Sequence, residues 1–256
     1  MRDNGIRHKD SVITEVIDKI LLLKINRPEQ ANAINRDVIC RLREEFDKAE
    51  WNDAIAVIIL TGEGEKAFCA GLDLKERRSL SQKEALIDRE KNMVPFFRKL
   101  QNFSKPIIGA INGPAIGGGA ELALICDMRI GTVSARFGQG EIKWGMIPSM
   151  GAIQKLRLIV GMSRAKELIL TGKTIEASEA ERYGIYNWIA EKGKLIEETL
   201  SVADEIAKNS PIAVKQAKRA LDIGADTQMA MFLDFELSKE CFYKGEAFTG
   251  PAKFGK

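Results

Sequence analysis

One segment of this 256-residue chain combines consecutive glycines with an acidic side chain. The apolar residues 106–112 favour a strand, which leads through Gly117, Gly118 and Gly119 into a helical sequence at residues 120–126. Glycines at the start of a helix let a ligand approach free backbone N–H groups at the positive end of the helix dipole. Such N–H groups can stabilise an oxyanion that develops during a reaction. Close packing of the helix through its glycines is the competing interpretation.

Two carboxylates accompany this pattern. Glu121 lies in the first turn of the predicted helix, and Glu141 follows twenty residues later in the sequence Phe-Gly-Gln-Gly-Glu. Taken singly, Glu121 suits a role at the helix dipole and Glu141 suits a surface loop. Two carboxylates in different environments can instead divide general acid and general base roles between them. The pair therefore predicts acid–base chemistry beside a backbone anion site.

The counts of His and Cys exclude several other chemistries. A single His, at position 8, leaves no multi-His metal site and no plausible His base for a Ser or Cys nucleophile. The cysteines at positions 40, 69, 126 and 241 contain no C-x-x-C pair, so neither a zinc ribbon nor a redox motif is present. We expect reduced cytosolic thiols and no metal, and we interpret Cys69 as a small buried side chain.

The nucleotide-binding motifs are weak or missing. Gly62, Gly64 and Ala67 follow a strand with the spacing of a dinucleotide fingerprint, but residues 68–71 interrupt the helix that this fingerprint requires. We interpret the segment as a surface turn. The sequence contains no Gly-x-x-x-x-Gly-Lys-Ser/Thr, which excludes P-loop chemistry.

Short strands and amphipathic helices must position these residues. Residues 12–17 and 20–25 read as a hairpin, residues 54–60 as a buried strand, and residues 81–102 as a polar helix. Apolar side chains recur at helical spacing after Asn35. This order of strand, strand, helix and strand indicates a mixed α/β fold.

The last part of the chain has a different pattern. Helical spacing is found near residues 195–207, 212–221 and 229–242, with no strand between them. We therefore predict a body at residues 1–195 and a helical region at residues 196–256.

Charge and hydropathy set the expected environment. Lys and Arg number 39 against 36 Asp and Glu, and the two signs are mixed along the chain, which gives little support to nucleic-acid binding. The first ten residues are charged where a signal peptide needs an apolar core, and the apolar runs are shorter than the roughly 20 residues that span a bilayer. We expect a cytoplasmic protein that binds neither nucleic acid nor membrane.

The order of these motifs resembles that of the crotonase, or enoyl-CoA hydratase/isomerase, superfamily. The resemblance extends from residue 26 to the C-terminal helices. The residues that carry it are Asn26-Arg27-Pro28 with Asn32-Ala33, the run Ala67-Phe68-Cys69-Ala70-Gly71-Leu72-Asp73, Lys105-Pro106 with Asn112-Gly113, Gly117 to Glu121 with Leu122-Ala123, Phe137-Gly138-Gln139 with Glu141, and Gly145 with Ile147-Pro148.

The resemblance implies an α/β spiral of repeated β-β-α turns with a C-terminal helical trimerisation region. It further implies a homotrimer or a dimer of trimers, and an enzyme of the kind that serves fatty acid β-oxidation. The implied substrate is an acyl-CoA thioester, and no separate cofactor is expected because coenzyme A is part of the substrate.

The resemblance also implies roles for individual residues. The backbone N–H groups of Leu72 and Gly118 match the two oxyanion-hole donors of the family, and Glu121 and Glu141 match its catalytic glutamates. The implied substrate and CoA contacts are Gln30, Ala31, Ala67, Ala70, Gly71, Asp73, Gly117, Pro148 and Ser149. Arg27, Lys66 and Lys105 are further candidates for contacts with CoA phosphates, although a solvated face explains any single Lys equally well.

Because hydratases of the superfamily carry both glutamates, the pair predicts water addition across the 2,3 double bond of an enoyl-CoA. One carboxylate takes a proton from water, the other donates one to the α-carbon, and the sequence leaves open which is which. Gly140 replaces a common Pro and residues 149–153 are bulkier than usual, so the acyl group also stays open. A double-bond isomerase, a cyclic or dienoyl-CoA hydratase, and a non-catalytic acyl-CoA-binding or scaffold protein are the alternatives.

Overall fold

The computed structural model describes residues 10–223. His8, Cys241 and the predicted helix at residues 229–242 lie outside this range. Within it, no helix combines the length and the apolar character that crossing a membrane requires.

The strands of the described region form two sheets. They are β1 (Val12–Ile17), β2 (Ile20–Ile25), β3 (Val57–Gly62), β4 (Ile107–Ile111), β5 (Ala115–Ile116), β6 (Met128–Gly131), β7 (Phe137–Gly138), β8 (Thr174–Ile175) and β9 (Trp188–Ile189). The main sheet has the order β1-β2-β3-β4-β6-β9, with β1 antiparallel to β2 and the later neighbours parallel. The small sheet has the order β5-β7-β8.

Helices follow most of the strands. They are α1 (Arg36–Glu50), α2 (Leu74–Arg78), α3 (Gln82–Asp88), α4 (Val94–Gln101), α5 (Gly118–Ile125), α6 (Ala152–Thr171), α7 (Ala177–Arg182), α8 (Leu195–Ala207) and α9 (Pro211–Ile223). A π-helical turn, Arg89–Met93, joins α3 to α4, and 3-10 turns occur at Pro28–Gln30 and Glu141–Trp144. Gly161 has φ 76° and ψ 164°, so α6 bends there.

The structure confirms the predicted hairpin and α1. Asp18 adopts φ 51° in the hairpin turn, and the Asn35 side chain accepts a hydrogen bond from the Val38 N–H at the start of α1. The strand predicted from residue 54 begins only at Val57, because Ile55 still belongs to a turn in which its N–H donates to the Asn52 carbonyl. The helical stretch predicted for residues 81–102 is confirmed, and its central residues, Arg89–Met93, form a π-helical turn between α3 and α4.

The main sheet is covered on both faces. One face contributes to the larger core, in which α1, α4 and α5 bury aromatic and aliphatic side chains such as Phe46 and Phe97. The other face packs against α8, whose Leu195, Ala203 and Ala207 are buried beside strand residues. The division of the chain near residue 195 stays a prediction, and α8 shares a core with the strands.

Candidate active site

The glycine run joins the small sheet to α5. The Gly117 N–H donates to the Gly138 carbonyl at 2.8 Å, and Gly117 adopts φ 54°, which favours glycine. Gly118 is the first residue of α5, so its N–H has no acceptor within the helix. Among residues 10–223 the Leu72 N–H also has no acceptor. Two unpaired N–H groups are therefore available here.

The segment that carries Leu72 lies directly against the start of α5. The Ile116 N–H donates to the Cys69 carbonyl at 3.0 Å, which pairs the two segments as a short parallel bridge. A Cβ on Gly71, which has φ 100°, would lie 3.3 Å from the Gly118 nitrogen. A Cβ on Gly119 would lie 2.0 Å from the Cys69 oxygen. Glycine at these positions thus lets the two backbones approach more closely than any side chain would allow.

Two asparagines hold the segment before Leu72 in place. The Asn32 amide donates to the carbonyls of Glu63 and Ala67, at 3.0 and 2.7 Å, and the Asn112 amide donates to the Gly64 carbonyl at 2.6 Å. Buried or half-buried amides satisfied in this way fix a loop that has no ladder of its own. The path of the chain toward Leu72 is therefore fixed before any ligand binds.

Asp73 has partners within the protein. Its Oδ2 pairs with Arg27 at 2.7 Å, and its Oδ1 accepts the Lys75 N–H at the start of α2. Burial alone would raise the pKa of Asp73, but Arg27 and the N–H groups of Lys75 and Glu76 outweigh it and hold the pKa below its ordinary value. The carboxylate positions the loop, and its predicted contact with substrate stays a prediction.

Glu121 is buried beneath the glycine run. Its Oε1 accepts hydrogen bonds from the N–H groups of Ser149 and Met150, at 2.7 and 2.8 Å. Burial raises the pKa of Glu121, while these two N–H groups and the charge of Arg89 oppose the rise. The net pKa is higher than that of an exposed glutamate.

Glu141 follows β7 and begins a 3-10 turn. Burial, and then the charge of Glu121, raise the pKa of Glu141 to about 7. The buried Gln139 carboxamide faces the Glu141 carboxylate, with one polar atom 3.0 and 3.1 Å from its two oxygens, and we assign this atom as the nitrogen because it can then donate to the carboxylate. The two glutamates thus occupy different environments, as a division into acid and base requires.

These groups border one cavity of about 170 Å³. Of the predicted site residues, the cavity brings together Ala70, Gly71, Leu72, Gly117, Gly118, Glu121, Glu141 and Ser149. Gln30 lines a separate surface cleft, and Ala31 lies beside the site because its carbonyl accepts the Ala70 N–H at 3.0 Å. Ala67 and Pro148 are buried and do not border the cavity. The predicted CoA contacts of these four residues stay predictions.

Other candidates from the sequence have structural partners. The Lys105 ammonium donates to the carbonyls of Ala49, Asn52 and Ile55 near the end of α1, which explains this lysine without CoA. Cys69 is fully buried, and burial raises the pKa of its thiol to about 12, so the thiolate is disfavoured.

Sequence reasoning missed several residues of the cavity. Arg77 and Arg89 border it, and the sequence analysis gave neither of them a role. Gln139 had marked the family resemblance without a role of its own, although a glutamine two residues from Glu141 was a usable signal. The apolar lining residues Leu74, Met93, Trp144 and Met146 had no recognisable pattern, and Ile147 had marked only the family resemblance. No group of His, Cys, Asp or Glu within residues 10–223 is arranged to hold a metal ion.

Comparisons with known proteins place this site in a family. The sequence model described as Enoyl-CoA hydratase/isomerase matches residues 15–249. A short-chain-enoyl-CoA hydratase of Clostridium acetobutylicum is 38% identical over 237 residues, covering 91% of this chain and 90% of that protein. A crotonyl-CoA hydratase of Syntrophomonas wolfei is 34% identical over 249 residues, covering 96% and 95%.

The fold is shared with solved structures. The crystal structure of an enoyl-CoA hydratase from Bacillus anthracis superimposes with a TM-score of 0.91 at 33% identity, covering 95% of each chain. This likeness confirms the predicted α/β fold of the crotonase type. Sequence and structure agree, and the chain belongs to the enoyl-CoA hydratase/isomerase family.

Proposed function

We propose that this protein is an enoyl-CoA hydratase, which adds water across the 2,3 double bond of an enoyl-CoA thioester. The observation that carries the proposal is the meeting of two unpaired N–H groups and two carboxylates at one cavity. The N–H groups of Leu72 and Gly118 would receive the thioester oxygen and stabilise the enolate, a contribution worth about 3 to 4 kcal/mol per donor.

The environments of the glutamates favour one assignment of roles. Glu121 receives two backbone N–H groups and the field of Arg89, which favour its ionised form and suit it to accept a proton from water. Glu141, with its pKa raised to about 7, retains a proton near neutral pH and is suited to donate it to the α-carbon. Water addition then transfers one proton to Glu121 and one from Glu141, which leaves the pair to exchange a proton before the next turnover.

The coenzyme A portion would leave the cavity past Ala70 and Ala31, toward the cleft that Gln30 lines. Ala67, Gly71, Asp73, Gly117, Pro148 and Ser149 are proposed as supporting contacts. Coenzyme A enters as part of the substrate, so the proposed reaction needs no separate cofactor.

We also propose a cytoplasmic homotrimer, or a dimer of two trimers, with residues 196–256 contributing to its interfaces. Within the described region, Leu158 and Leu170 on α6 and Leu221 on α9 are 77%, 67% and 83% exposed, and such apolar side chains suit an interface between chains. Sedimentation should give a mass of three or six chains, and a stable monomer would contradict this proposal.

Incubation with crotonyl-CoA tests the hydratase directly. Loss of the conjugated thioester absorbance, with a product heavier by one water, is the expected result. A product of unchanged mass would instead indicate a double-bond isomerase, and binding without conversion would indicate a scaffold. A parallel panel of cyclic and dienoyl-CoA thioesters identifies a hydratase that requires a different acyl group.

A further inference from the structure

Two arginines border the cavity that holds both glutamates. Arg77 belongs to α2, and Arg89 is the first residue of the π-helical turn between α3 and α4. π-Helical turns are rare and occur frequently at functional sites. Here the turn places a half-buried arginine at the same cavity as both glutamates.

Neither guanidinium is hydrogen-bonded to a counter-ion within the described residues. Among residues 10–223, the side chains of Arg77 and Arg89 have no ion pair and no hydrogen-bond acceptor. Neighbouring arginines do have partners, since Arg27 pairs with Asp73 and Arg36 pairs with Asp88, each at 2.7 Å. Arg89 is half-buried, and a guanidinium that is partly removed from water is stabilised when an anion binds beside it. Arg77 is exposed and can add a second guanidinium to the same anion.

The glutamates of the cavity do not serve as that anion. Glu121 directs Oε1 to the N–H groups of Ser149 and Met150, and Arg89 acts on it only through its field, without a hydrogen bond. Glu141 faces Gln139 instead. The two arginines therefore remain available to a ligand that occupies the cavity.

We propose that Arg77 and Arg89 form a carboxylate-binding subsite, so that the favoured acyl groups end in a carboxylate. The proposal rests on the proposed hydratase function for the placement of the thioester at Leu72 and Gly118. Leu74 and Met93 line the same cavity and provide apolar contacts for a short methylene chain. Planar guanidinium groups match carboxylates in geometry, which makes arginine suited to this recognition.

Saturated thioesters test the subsite without depending on turnover. Titration calorimetry with the full chain would compare glutaryl-CoA with glutaramyl-CoA, its neutral primary amide, and with butyryl-CoA at one ionic strength. The expected affinity for glutaryl-CoA is at least about tenfold higher than for the amide, because only the acid makes charge-assisted hydrogen bonds. Equal affinity for the acid and the amide would overturn the proposal.

Substitution assigns the preference to the two arginines. Arg77→Met and Arg89→Met should each weaken glutaryl-CoA binding by about tenfold and change binding of the amide and of butyryl-CoA by less than about twofold. Arg78→Met is the matched control, since Arg78 is exposed on the same helix away from the cavity and its loss should change no affinity. Circular dichroism checks the fold, and Arg77→Met, at an exposed position, decides the result if Arg89→Met does not fold.

Two outcomes separate this proposal from its alternatives. Equal weakening of all three thioesters would mean that the arginines serve the CoA phosphates or the glutamates, and would overturn the subsite. A preference for the acid that depends on the arginines, in a protein that hydrates no enoyl-CoA, would support the subsite and contradict the hydratase.

Discussion

Glu121 and Glu141 carry the same functional group in two environments. The first is buried, accepts two backbone N–H groups and lies near a cation, whereas the second is half-buried beside another carboxylate. Burial raises the pKa of both carboxyl groups; the backbone donors and Arg89 oppose this rise at Glu121, whereas the charge of Glu121 adds to it at Glu141. The proposed direction of proton transfer, from water to Glu121 and from Glu141 to the α-carbon, rests on this difference between the two environments.

Replacing either glutamate by glutamine should abolish most hydration. Each general acid or base contributes about a hundredfold to ten-thousandfold, so Glu121→Gln and Glu141→Gln should lower kcat for crotonyl-CoA by that factor. The carboxamide introduced by Glu121→Gln retains an oxygen that can accept the Ser149 and Met150 N–H groups, so the fold should persist. Thermal melting provides the control, and turnover near that of the wild type in either variant would refute the two-glutamate mechanism.

The pH dependence follows from the same two groups. Glu141 has a pKa of about 7, so raising the pH through this value removes the acid and kcat/KM should fall. Lowering the pH through the pKa of Glu121 protonates the base and should also lower kcat/KM, which gives a bell-shaped profile. The two limbs belong to the coupled pair.

A series of kcat/KM measurements with crotonyl-CoA from about pH 5 to about pH 9 checks this profile. The residual activity of Glu141→Gln should lose the decline near neutral pH. An alkaline decline that persists unchanged in this variant would assign the titration to another group.

At the level of the secondary-structure element, the three glycines before and within α5 have different structural roles. Gly117 needs its positive φ, and Gly118 supplies a free N–H. Gly119 permits contact with Cys69, since a Cβ there would lie 2.0 Å from the Cys69 oxygen. The close packing that the sequence offered as one interpretation is found at Gly119, and anion binding at Gly118 stays a prediction.

Gly119→Ala should therefore destabilise the protein more than Gly118→Ala does, and it should also disturb the site. A methyl group on Gly119 must move α5 or residues 69–72, which should lower the free energy of unfolding by about 1 to 3 kcal/mol and reduce hydration as the donors shift. A Cβ on Gly118 would make only ordinary contacts, at 3.5 Å from Leu72, so its stability should remain near that of the wild type. Urea unfolding measures both, and equal stability of the two variants would contradict this explanation.

The elements were predictable where a periodic pattern met a turn signal. The β1–β2 hairpin and α1 both have clear periodicity. Asp18 adopts a positive φ in the hairpin turn, and the Asn35 side chain caps the start of α1. The two-residue strands β5, β7 and β8 are too short to have a period. The π-helical turn at Arg89–Met93 contains neither Gly nor Pro, so its sequence does not separate it from a continuous helix.

The site was predictable only in part. The glycine run and the two carboxylates follow from residue type and spacing, whereas Leu72 as a donor followed from the family resemblance alone. Arg77 and Arg89 resemble solvated charges in sequence, and only the cavity reveals that they lack partners. Pairing among distant side chains is decided by tertiary packing, which a single sequence does not display.

In the molecule as a whole, different elements cover the two faces of the main sheet. The candidate active site depends on elements above one face, while α8 covers the other with small side chains that allow close approach. Ala203 is fully buried there. Residues beyond the predicted boundary at 195 thus support the strands from which the site is built.

Ala203→Leu should destabilise the protein through overpacking. The larger side chain must displace α8 from the sheet, which costs about 1 to 3 kcal/mol of unfolding free energy in urea titrations. Ser201→Leu, on the exposed side of the same helix, is the matched control and should change stability by less than about 0.5 kcal/mol. If Ala203→Leu were as stable as the control, α8 would belong to a separately organised tail.

The short bridges between Cys69 and Ala115 and between Ile34 and Leu72 have a kinetic consequence. The two proposed oxyanion donors come from distant stretches of chain that meet only through these non-local pairings, and such pairings form slowly during folding. After dilution from denaturant, the hydratase activity should therefore return later than the helical circular dichroism signal. The time at which product formation returns would therefore show when the last long-range contacts form.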